Sequence, residues 1–194
     1  DMLENAVAIE RQFYAPEQPE LLRDSLNLAV TYYLADEREQ AWSIFTDLER
    51  KITDEDEETL VNWYFFGMLK KEMGLIDDAV FFFLQLQDKF QAAGLAETAE
   101  FAFLLSGLAD AYHLQRLYFK AEEAYNLAQD LFENLTLTDI DEYYQLLSSR
   151  AVNLEALGRP EEADQSLEAL AQIPAAKSAY ANGLANRAAL NQVK

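Results

Sequence analysis

The sequence predicts an all-α solenoid of antiparallel helix hairpins, about ten helices, and three observations carry that prediction. Ala29, Gly67, Ala109 and Ala151 each precede an alanine by twelve positions (Ala41, Ala79, Ala121, Ala163). Each of those alanines precedes a bulky residue by four: Phe45, Phe83, Tyr125 and Leu167. Successive units stand 38, 42 and 42 residues apart, a period that marks stacked helical pairs rather than one globular core. The composition, 51% hydrophobic and only 26% charged, supplies enough apolar material to pack an interior and excludes a disordered tail. Finally, 6 Gly and 4 Pro are too few to punctuate a many-stranded sandwich or barrel.

Apolar spacing places the elements. A first helix, about Met2 to Tyr14, carries Leu3, Val7 and Phe13, and ends at the breaker Ala15-Pro16-Glu17-Gln18-Pro19 with no helical mate before it. The first hairpin runs from Glu20 to Leu34 and from Glu39 to about Ile52, around the polar turn at Ala35 to Arg38. An acidic connector, Thr53 to Glu58, leads to the second hairpin, Thr59 to Met73 and Asp77 to about Ala93, where Gly74 suits a helix C-terminal cap. The third hairpin spans Glu97 to Gln115 and Tyr118 to about Leu135, and Thr136 to Asp139 offer caps for the fourth. That fourth pair, Asp141 to Leu157 and Glu161 to about Ile173, is divided by Gly158-Arg159-Pro160, with proline suited to the first helical turn. A last helix, about Ala176 to Asn191, reads as a cap or half-repeat. The whole, residues 1–194, is read as one domain, with repeats over 20–175.

Aligned on the small residue, each unit has a large side chain four before it and three after, alanine twelve after, and apolar residues sixteen and nineteen after. The places are held by Ser25, Ala29, Tyr32, Ala41, Phe45 and Leu48, then by Trp63, Gly67, Lys70, Ala79, Phe83 and Leu86. Leu105, Ala109, Tyr112, Ala121, Tyr125 and Ala128 follow, and then Leu147, Ala151, Leu154, Ala163, Leu167 and Leu170. This resembles the tetratricopeptide repeat (TPR), in its long-unit, kinesin-light-chain-like form, with Ser25 and Lys70 as the departures. The resemblance implies a right-handed superhelical array whose first helices line a concave groove for an extended or helical peptide.

Carried onto this chain, the groove positions are Arg23, Asn27 and Tyr33 in the first unit, and Tyr64, Met68 and Lys71 in the second. The third contributes Phe103, Asp110 and His113, and the fourth Ser148 and Glu155. A cluster of Lys, Arg and Asn that would hold a terminal carboxylate is missing. Asp110 and Glu155 place negative charge there, so a basic or amphipathic ligand fits better.

The formal charge of −20 repels phosphate backbones and anionic membrane surfaces, so neither nucleic acid nor membrane is an expected partner. The connector Asp54 to Glu58 reads as a solvated loop favouring the next helix N-terminus, or as a steering patch. Zero cysteines fit a cytoplasmic protein. No secretory signal is visible, and the Asp1-Met2 start reads as a tag remnant or as a cut from a longer chain. A single histidine leaves zinc improbable, and Asp54, Asp56 and Glu58 are followed by Thr59 where a calcium loop needs glycine. With no phosphate loop or nucleophile elbow, no catalytic residue, metal or cofactor is expected. The expected function is a non-catalytic interaction module. The alternatives are a peptide-sensing regulatory domain of a larger protein and a scaffold self-assembling through its end helices.

Overall fold

The computed structural model describes residues 4–5, 7–9, 18–49, 51 and 57–193. Most of the expected first helix and most of the acidic connector lie outside these residues. Helices α1 (Pro19–Leu34), α2 (Arg38–Leu48), α3 (Glu57–Glu72) and α4 (Ile76–Ala92) form the first compact unit, Asp1–Gly94. The second, Leu95–Lys194, holds α5 (Ala99–Leu114), α6 (Tyr118–Asn134), α7 (Asp141–Ala156), α8 (Pro160–Ala171), a 3-10 turn (Pro174–Ala176) and α9 (Lys177–Val193). No strand occurs among the described residues.

Within each unit, helices pack as hairpins and as a stack of hairpins. In the first, α1 packs on α2 and also on α3, which pairs with α4. In the second, α5 pairs with α6 and α7 with α8, and α7 also meets α5, α6 and α9. The residues that set the repeat are the ones at the contacts. Ala29, Ala41, Ala79, Ala109, Ala121, Ala151 and Ala163 are fully buried, with Phe45, Phe83, Tyr125 and Leu167 beside them at 3% exposure or less. Each such bulky side chain contributes roughly 1.5–3 kcal/mol of transfer free energy, and the alanines let the helix backbones approach closely. Val7, from the helical run at 7–9, is buried with Leu21 and Leu28, and Tyr32 and Ile44 pack against that cluster.

Both departures from the repeat are also buried. Ser25 is 4% exposed. Lys70, 9% exposed, sets its ammonium 4.0 Å from the centroid of the Phe66 ring and 5.4 Å from those of Trp42 and Phe82. Its Nζ lies 3.4 Å from Glu49 Oε1. A lysine therefore fills the place of a large side chain by burying its stem and presenting its charge to aromatic rings and a carboxylate.

The turn within each hairpin repeats as faithfully as the helices. Asp36, Gly74, Arg116 and Gly158 take positive φ, at 59°, 79°, 62° and 75°. The next amide in each case bonds back five residues: Glu37 to Tyr32, Leu75 to Lys70, Leu117 to Tyr112 and Arg159 to Leu154. This closure satisfies helix-end carbonyls, and glycine adopts it without a Cβ penalty. Pro160 opens α8 as its fixed φ favours. The expected caps at Thr136 to Asp139 are not used. Ile140 is the N-cap of α7 and makes no side-chain capping bond. Thr136 instead takes positive φ in the turn closing α6, and Asp139 accepts from the Tyr144 hydroxyl.

Candidate functional site

In the first unit the faces of α1 and α3 are joined by polar and aromatic contacts. Asn62 Nδ2 donates to Asn27 Oδ1 at 2.6 Å, and Asn27 Nδ2 donates to Glu58 Oε1 at 3.3 Å. At the other end of these helices the Tyr33 hydroxyl donates to Glu72 Oε1 at 2.7 Å. Glu72 Oε2 also lies 3.5 Å from Arg38 NH2. Burial, and then the Glu72 carboxylate, hold the Tyr33 phenol well above its ordinary pKa. The Tyr33 ring centroid lies 5.6 Å from that of Phe65, which stands 5.4 Å from Tyr64. Met68 and Lys71 are half-buried on the same helix, and Arg23 is exposed on α1. Of the candidates here, Asn27 and Tyr33 are thus tied across the pair. Their partners Glu58, Asn62, Phe65 and Glu72 were not among the sequence-derived candidates. The repeat register could have placed them, since an α1 residue is neighboured by the α3 residues of the next unit.

In the second unit Phe103 packs on Phe132 with centroids 5.6 Å apart, and Asp110 Oδ1 accepts from the buried Tyr125 hydroxyl at 2.7 Å. Burial, and then the Asp110 charge, push the Tyr125 phenol far above its usual range, so that it remains a donor. His113 Nδ1 lies 3.0 Å from Asn153 Oδ1, and its ring centroid 5.3 Å from that of Tyr118. Asn153, fully buried, continues inward to the Tyr118 carbonyl at 3.0 Å and to Glu122 Oε2 at 3.4 Å. Glu122 in turn accepts from Arg150 NH2 at 2.7 Å and from Arg150 Nε at 3.1 Å. Asn153 was not singled out from the sequence, because nothing in a pattern of apolar spacing distinguishes a buried asparagine from a surface one.

Two candidates differ from the expectation of an open face. Ser148, 3% exposed, lies under α9, where a Cβ on Gly183 would stand 3.0 Å from its Oγ. Glu155, 8% exposed, accepts from Arg187 NH2 at 2.8 Å and from Arg187 Nε at 3.2 Å. Arg187 NH1 also donates to Asp164 at 2.7 Å. The reason is that α9 packs on α7 as the first helix of a further repeat would, so the face of α7 is covered. Glu155 is therefore a neutralised anchor for α9 rather than open negative charge.

Along both sets of faces aromatic rings stand near carboxylates, with Arg23 and Lys71 as cations in the first unit. Among the described residues no three His, Asp or Glu side chains are grouped so as to hold a metal ion. No described helix is long and apolar enough to cross a membrane.

Stacked hairpins closed by small residues, with aromatic and acidic side chains on the first helices, make a TPR-like repeat fold. The comparison with solved structures gives that fold directly. A single-substitution variant of the kinesin-light-chain-like, nearly identical TPR-like repeats of Podosopora anserina matches with a TM-score of 0.70 and 19% identity, over 91% of this chain and 84% of that one. A second crystal structure of those repeats gives 0.68 and 16%, over 90% of both chains. BtubC (BKLC) from P. vanneervenii gives 0.59 and 17%, over 98% of this chain and 90% of that one. No protein-family model and no curated protein matches the sequence.

Proposed function

We propose that this chain is a non-catalytic interaction module that takes a basic or amphipathic segment of a partner protein on the first-helix faces of its hairpins. The observation that carries this reading is the alternation on those faces of aromatic surface with carboxylate acceptors. Tyr33 and Phe65 adjoin Glu72, and Phe103 precedes Asp110 on the same helix. Aromatic rings give contact area at low entropic cost, and carboxylates steer and orient cations. The TPR-like fold supports a protein partner, because it presents an extended surface rather than an enclosed pocket. A cytoplasmic setting agrees with the absence of cysteine from the sequence.

The test is binding of a lysine-rich amphipathic peptide to the intact chain and to Asp110→Lys, followed by calorimetry at low and high salt. Roughly tenfold weaker binding by the variant is expected, a change of about 1.4 kcal/mol. Equal affinity of the two proteins would sink the proposal. Pulldown with the intact chain and with Tyr64→Ala, read by mass spectrometry, then separates partners held by these faces from bystanders.

A further inference from the structure

We infer that His113 is a built acceptor site: an imidazole whose Nδ1 proton is fixed by Asn153, so that in its neutral form only Nε2 is bare to receive an ammonium or guanidinium N–H from a basic ligand. The inference rests on the reading above and names the atom that recognises the donor.

The lock is deduced from Asn153. Its amide nitrogen has two hydrogens, and two acceptors face it: the Tyr118 carbonyl at 3.0 Å and Glu122 Oε2 at 3.4 Å. Reversing the amide would set its oxygen against a carbonyl and a carboxylate, in a place where Asn153 is fully buried and cannot turn to water. Its Oδ1 must therefore be the atom 3.0 Å from His113 Nδ1, and an oxygen there requires that nitrogen to carry hydrogen. Arg150 holds Glu122 from the other side, at 2.7 Å and 3.1 Å, so the chain of donors and acceptors has one direction from end to end.

What this leaves at the surface, in the neutral ring, is Nε2 without a proton. His113 is half-buried, and its Nε2 makes no hydrogen bond to any described residue, yet it is not among the side-chain atoms buried without a partner. A lone-pair acceptor reached by solvent suits an N–H donor and rejects a carboxylate. Asp110 lies one helical turn earlier on α5 and adds negative charge to the same face.

The lock can be read without any ligand. His113 is the sole histidine, so long-range proton–nitrogen spectra of the labelled chain show one ring. In the spectrum of the neutral ring, Nδ1 is expected to be the protonated nitrogen and Nε2 the bare one. A ring protonated on Nε2, or an even mixture, overturns the inference and leaves the groove reading untouched. Titration with oligolysine should then shift Nε2 while Nδ1 stays near its place, and oligoglutamate should shift neither. Oligolysine that perturbs backbone amides of α5 and α7 but not Nε2 overturns the acceptor site alone. Oligolysine that perturbs nothing overturns the groove reading together with it.

Discussion

Gly67 stands so close to the ring of Phe83 that a β-carbon on it would stand 2.9 Å from both Cδ1 and Cζ of that ring. The neighbour is an aromatic ring that is itself fully buried, so it has no room to yield. Gly67→Ala is therefore expected to destabilise the first unit by about 1–3 kcal/mol, more than the ~0.5–1 kcal/mol that alanine contributes to helix stability. Urea midpoints measure the change, and adding Phe83→Leu should restore part of it. A more stable Gly67→Ala protein would refute the packing.

The turn residue Arg116 takes a conformation, φ 62°, that its counterparts Gly74 and Gly158 adopt freely. A side chain there costs about 1–2 kcal/mol, against roughly 0.5–1 kcal/mol of extra unfolded-state entropy for glycine. Arg116→Gly is accordingly expected to stabilise by about 0.5–1 kcal/mol and raise the melting temperature. Gly158→Ala should do the reverse, and thermal scans on both variants decide the matter.

Glu122 is 8% exposed in its side chain and faces Arg150, 17% exposed, at 2.7 Å. Removing the carboxylate alone leaves a guanidinium with little access to water and Asn153 short of an acceptor. Glu122→Ala should cost about 3–5 kcal/mol, whereas joint replacement with Arg150→Met should cost less than Glu122→Ala alone. Additive losses in a double-mutant cycle would show that the pair is not coupled.

Tyrosines whose phenols are raised in the fold, Tyr33, Tyr125 and Tyr143 among them, should make stability fall in alkali. Burial raises the Tyr33, Tyr125 and Tyr143 phenols, that of Tyr143 to about 12, with carboxylates of Glu72, Asp110 and Glu133 adding to the effect. A phenol raised in the fold keeps its proton while the unfolded chain, with an ordinary value near 10, releases it. Its contribution is complete below about pH 10 and is lost as the pH rises through the folded value. Denaturation midpoints should thus drop from about pH 10 upward, and Tyr143→Phe should flatten the drop; no slope in that window would contradict the burial.

Arg187 clamps α9 to α7 through Glu155 and to α8 through Asp164, with only 13% of its side chain exposed. Arg187→Ala removes both guanidinium hydrogen bonds from the buried Glu155, an expected loss of about 3–5 kcal/mol. Hydrogen exchange should show α9 amides opening before those of α7. Uniform loosening of the whole second unit would argue against a local clamp.

Much of this fold is written in single residues. Alanine at 41, 79, 121 and 163 with the small residues twelve before them predicted every hairpin from α1 to α8, because close helix contact tolerates little besides small side chains there. Pro160 and Gly74 marked their ends, since both act through φ alone, a property of the residue itself. Tertiary packing decided the rest. Lys70 looked like a fault in the repeat until Trp42, Phe66, Phe82 and Glu49 were found around its ammonium. Ser148 and Glu155 looked open until α9 was found lying over them. Asn153 looked ordinary until its amide was found joining His113 to Glu122. Periodicity reports which face of a helix is apolar, a one-dimensional property carried by spacing. Whether a polar group on that helix is free or already satisfied depends on partners some 30 to 40 residues away, and only the folded chain brings them within hydrogen-bond distance.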